Sequence, residues 1–418
     1  MKKSLIFAAT AAVVLSACAK VDTYKVSTQE AVSFGVYAGR AVTKAVSGTD
    51  YGTVTTTSLQ AAASNGFGVF GYYTDAANYA SNTKANFMYN QQVTYSGGNW
   101  TYNPVKYWPN EHGASAVSTD TDKLTFLAYA PFVANKDIAG DKGVSITDKA
   151  GSAAADEGIT AMTANNVAGD AVLTFKVPAS SEEQIDLLYG VMKASYTDVE
   201  GATIGTANSP LENLTKQKTN GKVEILFKHA LAKIAIDIKD VVDAVDPVTT
   251  VNPASDGTKV VVESLTVKGT IGTSGKLNLY TGAWGDTATG ASFDVTPLPT
   301  AIYSGATAPT TYPSVAGIDE DGLDKTIDLM VVPATGAKIT GVEITYYICT
   351  EDPQLDGGVS IVKNVISKDL GTAINIKKGK QYGLNVLLGL TSIKLDATVE
   401  NWDDSAADTN VDLPKNVA

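Results

Sequence analysis

Apolar and polar residues alternate with a period of two along much of this chain, and nowhere do they settle into a sustained helical period. Ile234, Ile236 and Ile238, spaced by Ala235 and Asp237, give the clearest case: a long strand with one buried face. Earlier, Val32, Phe34 and Val36 alternate with small residues in the same way, and predict a short strand over residues 31–39. Further strands are predicted over 67–73 and 86–95, and Ser96-Gly97-Gly98-Asn99 then forms a tight turn into Trp100, which makes a hairpin. Residues 124–130 read as a near-continuous apolar strand ended by Pro131. The same reasoning places strands at 171–177, 187–192, 222–227, 260–268, 276–280, 326–332, 338–349, 358–366, 381–388 and 393–399. Ser180 to Glu183 has the look of a short helical start with acidic residues in its first turn. Residues 134–170, rich in Ala, Gly, Asp and Asn, read as long surface connections. Residues 205–221 are the most linker-like interval. The prediction is all-β, with two β-sandwich domains in series over residues 41–213 and 214–402.

The start of the chain breaks this pattern. Lys2 and Lys3 precede an apolar run over residues 6–15, too short for a stable membrane-spanning helix, so residues 1–18 read as an export signal. It closes on Leu15-Ser16-Ala17-Cys18, which fits a bacterial lipobox and makes Cys18 the acylated residue. Residues 19–30 form a polar tether, so residues 19–40 comprise tether and first strand. Arg40, the only arginine in the chain, stands just past that strand and reads as a protease address. With Cys18 lipidated, Cys349 has no disulfide partner and reads as a small apolar residue of a strand.

Composition narrows the function. Hydrophobic residues at 44% and charged residues at 18% exclude a disordered polymer, and 37 glycines suit strands joined by many turns. The net charge is −12; without residues 1–40, which carry five basic and two acidic side chains, it becomes −15. Such a surface repels phosphate backbones, so nucleic acid is not an expected partner. No catalytic constellation stands out, and the chain does not read as an enzyme. His112 and His229 are the only histidines, which leaves little room for a triad or a histidine-based metal site, and His229 reads as a core or edge residue. Asp319 to Asp324 lacks full calcium-loop spacing and reads as a solvated acidic loop, so no metal or cofactor is expected. Trp100, Tyr107 and Trp108 read as caps on a core edge, with sugar stacking as the alternative. In the tail, residues 403–418, Val411 and Leu413 alternate with polar neighbours as in a short one-faced strand.

A lipobox, a strand and then Arg40-Ala41-Val42-Thr43-Lys44 resemble the fimbrillin family, the FimA-like and Mfa-like subunits of type V pili in Bacteroides-group bacteria. Other stretches agree in family order: Tyr102-Asn103-Pro104 with Tyr107-Trp108-Pro109, the 126–131 strand ending in proline, Asp186-Leu187-Leu188-Tyr189-Gly190, Phe227 to Lys233, and Val399-Glu400-Asn401-Trp402. The resemblance spans residues 15–402. It implies two transthyretin-like sandwiches and a precursor acylated at Cys18 and anchored in the outer membrane. It further implies an arginine-specific protease cutting between Arg40 and Ala41, and loss of the strand carrying Val32, Phe34 and Val36. Other fimbrial subunits would be the partners, with the segment around Val411 and Leu413 as donor strand, and host or bacterial surfaces as possible ligands. This tail is short and weakly apolar for that role, so a tip or accessory subunit stands as a variant, and a non-polymerising glycan-binding surface lipoprotein as an alternative.

Overall fold

The computed structural model describes residues 30–38, 59–60, 66–75, 77–109, 122–133, 157–181, 183–197, 203–219, 221–240, 258–295, 325–351, 354–355, 359–389 and 391–402. In chain order the strands are β1 (Ser33–Ala38), β2 (Phe67–Tyr73), β3 (Met88–Ser96), β4 (Asn99–Thr101), β5 (Leu124–Ala130), β6 (Gly158–Met162), β7 (Val172–Lys176), β8 (Leu188–Met192), β9 (Tyr196–Thr197) and β10 (Thr203–Ile204). They continue as β11 (Leu211–Leu214), β12 (Lys222–His229), β13 (Ala232–Asp240), β14 (Thr258–Asn278), β15 (Trp284–Asp294), β16 (Lys325–Val331), β17 (Lys338–Glu351), β18 (Val359–Asn375), β19 (Lys380–Leu388) and β20 (Ile393–Asn401). The fold is all-β, with a short turn of helix at Lys216–Thr219.

Alternation decides the faces. On β12, Val223, Ile225 and Phe227 are buried between more exposed neighbours, and on β13 Ile234, Ile236 and Ile238 are buried. β5 is buried along its whole length because both its faces are covered: Phe126, Ala128 and Ala130 join one core, Leu127 and Tyr129 another. A strand covered on both sides has no solvent face to mark with polar residues, hence its continuous apolar run. The β3–β4 hairpin turns through Gly97 and Gly98, both at positive φ (58° and 84°), a conformation open to glycine at little cost.

An eight-stranded sheet runs in the order β1-β12-β8-β5-β2-β3-β4, with β11 added beside β5. It curls until the segment after β4 returns to the start of β1: Ala31 bridges Tyr107, and the Val32 N–H donates to the Lys106 carbonyl at 2.9 Å. A six-stranded sheet (β18-β17-β14-β7-β6, with β15 on β14) and a four-stranded sheet (β16-β13-β19-β20) contribute their apolar faces to one core, which also takes in Phe70, Tyr72, Leu127 and Tyr129 of the first sheet.

Several expectations change. The sheets do not divide at residue 213: β12 pairs with β8 in the first sheet, and β6 and β7 join β14 in the later one. β6 lies inside the interval read as surface connection, and β15 has too few apolar residues to have signalled a strand. The strands expected at 260–268 and 276–280 are one strand, β14, which bends through register shifts while pairing with three partners. Ser180 to Glu183 makes a turn, closed by the Glu183 N–H on the Ser180 carbonyl, and no helix follows.

Candidate functional site

The strongest candidate is the slot that β1 fills. β1 lies parallel to β12, with Ser33 opposite Lys222 and Ala38 opposite Phe227. Two parallel strands so far apart in sequence cannot be a hairpin. β1 is also the terminal strand of its sheet.

Its inner face is part of the core. Val32, Phe34 and Val36 are 1%, 4% and 5% exposed. The Phe34 ring enters a socket of aromatic walls, with centroids 5.9 Å from Phe67, 5.7 Å from Phe126 and 5.7 Å from Tyr102. The first two contacts are edge-to-face, the arrangement that ring quadrupoles favour. These walls come from β2 and β5, neighbours in the sheet, and from the segment after β4, which the curl of the sheet brings to β1.

Backbone ties fix the start of the strand. The Tyr102 hydroxyl donates to the Val32 carbonyl at 2.7 Å, and burial pushes this phenol up to about 12, so it stays a donor at any physiological pH. The Gly221 carbonyl accepts from the Ser33 hydroxyl at 3.2 Å and from the Trp108 indole N–H at 3.0 Å. Gly221 itself sits at φ +76°, and a Cβ there would lie 2.0 Å from a Glu30 carboxylate oxygen. The Lys216–Glu30 pair beside it, at 3.1 Å, is too exposed to add much. On the outer face, the Tyr37 hydroxyl donates to Glu224 at 3.2 Å while the Lys193 ammonium lies 3.3 Å from the ring centroid, a cation–π contact.

Of the residues expected to matter, Val32, Phe34 and Val36 therefore converge on one slot. Cys18, Arg40, Ala41, Val411 and Leu413 lie outside the described residues, as do His112 and Asp319 to Asp324. Trp100 and Trp108 do not form an exposed sugar platform. Trp108 is 2% exposed and committed to Gly221, and half-buried Trp100 packs on Phe67 and Tyr95. Tyr107 is 44% exposed. His229 is buried at the end of β12, paired with Asp186 at 2.7 Å and stacked on Trp402 at 3.8 Å. Among the described residues, no group of three or more His, Cys, Asp or Glu side chains is placed to hold a metal ion. Gly221 and Lys193 as clamps on β1 escaped the sequence reading, because nothing local in either sequence points to a strand so distant.

A family model described as Fimbrillin-like matches residues 43–402. Fimbrium subunit Fim1C of Phocaeicola vulgatus is 26% identical over 392 residues, covering 86% of this chain and 88% of that one. A solved fimbrial protein from Bacteroides vulgatus shares the fold, with a TM-score of 0.57 and 22% identity over 89% of this chain and 99% of its own.

Proposed function

Because the chain belongs to the fimbrillin-like family, we propose that it is a structural subunit of a cell-surface fimbrium, exported as a lipoprotein and assembled by strand exchange. In this reading Cys18 carries the lipid that holds the precursor in the outer membrane. An arginine-specific protease cuts between Arg40 and Ala41, and β1 leaves with the leader. Its departure exposes Val223, Ile225 and Phe227 and the unpaired edge of β12, and an extended segment of a neighbouring subunit fills the gap. A head-to-tail contact of this kind repeats without closing and so builds a filament, which presents the subunit to host or bacterial surfaces.

One observation carries the reading: β1 is buried like core yet is the terminal strand of its sheet, and it stops two residues before the sole arginine. The match to the family begins just past Arg40, which agrees with a body that starts there. N-terminal sequencing of fimbriae sheared from cells tests it. A start at Ala41 is expected; a lipidated Cys18 in the assembled protein would end the proposal.

A further inference from the structure

The slot is lined for an aromatic strand, and residues 403–418 hold no aromatic residue. Three aromatic walls surround the Phe34 ring at the centroid distances given above. A second aromatic position lies at Tyr37, where Lys193 and Glu224 engage the ring and the hydroxyl. Residues 403–418 read Asp-Asp-Ser-Ala-Ala-Asp-Thr-Asn-Val-Asp-Leu-Pro-Lys-Asn-Val-Ala, with no Phe, Tyr or Trp. Placing Leu413 in the Phe34 socket, with Val411 two positions before it, forces Lys415 into the dry position of Val36. Placing Val411 there leaves a ring-sized space filled by three carbons, and lining atoms without partners lose their packing.

We infer that the slot vacated by β1 selects an extended segment of another fimbrial subunit, one with an aromatic residue flanked two positions away on each side by aliphatic residues, over residues 403–418 of an identical copy. This rests on the strand-exchange reading. The residues that set the selection are Phe67, Phe126 and Tyr102 for the inner ring and Lys193 for the outer one.

The test uses the full chain nicked after Arg40 by an arginine-specific protease, and measures entry of fluorescent peptides by co-migration and anisotropy. The probes are residues 30–40, the same peptide with Phe34→Leu, and residues 403–418. The parent peptide should exchange in; the Phe34→Leu peptide should bind about tenfold more weakly, and the tail peptide more weakly still. Equal binding of the tail peptide, or of the Phe34→Leu peptide, overturns the selectivity while leaving strand exchange intact. Should no peptide enter at all, strand exchange itself fails. The socket is then read separately in the uncut chain, where Phe34→Leu must lower the melting temperature; an unchanged value overturns the inference.

Discussion

Cutting the chain after Arg40 should convert a permanently filled slot into one that empties on dilution. Burying Val32, Phe34 and Val36 contributes about 6 kcal/mol, at about 1.5–3 kcal/mol for each apolar side chain. Pairing with β12 adds hydrogen bonds worth about 1 kcal/mol each, and these are offset by ordering a segment at about 1–2 kcal/mol per residue. A net hold of at most about 6 kcal/mol corresponds to a dissociation constant of tens of micromolar or weaker. While the chain is intact, the tether presents β1 at an effective concentration of about 1 mM or more, so the slot stays full. After the cut, only the bulk concentration counts. The assay is digestion with an arginine-specific protease, dilution to about 0.1 µM, far below that constant, then size exclusion and intact mass measurement. The expected product is residues 41–418 free of the leader fragment. If the fragment still travels with the body at that dilution, the hold is orders of magnitude stronger than its buried groups supply and the reasoning fails.

Three other outcomes follow from the same geometry. Arg40→Ala should melt at the parent temperature and keep its leader after protease treatment, and release of residues 41–418 from this variant would refute the assigned cut site. Gly221→Ala should destabilise the precursor by more than about 1 kcal/mol, because alanine is strained at φ +76° and its Cβ strikes Glu30; hydrogen exchange should show the loss centred on β1. Trp402→Ala removes a buried ring stacked on His229 and should cost about 3–5 kcal/mol in denaturant melts, whereas a change under about 1 kcal/mol would show that the end of β20 is not anchored there.

The sequence by itself determined most of the strands, β6 and β15 excepted, and which of their faces are wet. Ile234, Ile236 and Ile238, the glycine turn at Gly97 and Gly98, and the apolar first strand ending at a solitary arginine were all legible. Each depends on neighbours within a few positions, where alternation and turn chemistry act directly. Partners were not legible, because a period of two says that a face is buried and not what buries it. Only the tertiary structure decided that β1 lies on β12, that Trp108 turns inward to Gly221, and that β6 and β7 serve the later sheet. It also brought Phe67, Phe126 and Tyr102 around Phe34, since a socket assembled from three distant segments exists only once the sheet has curled closed.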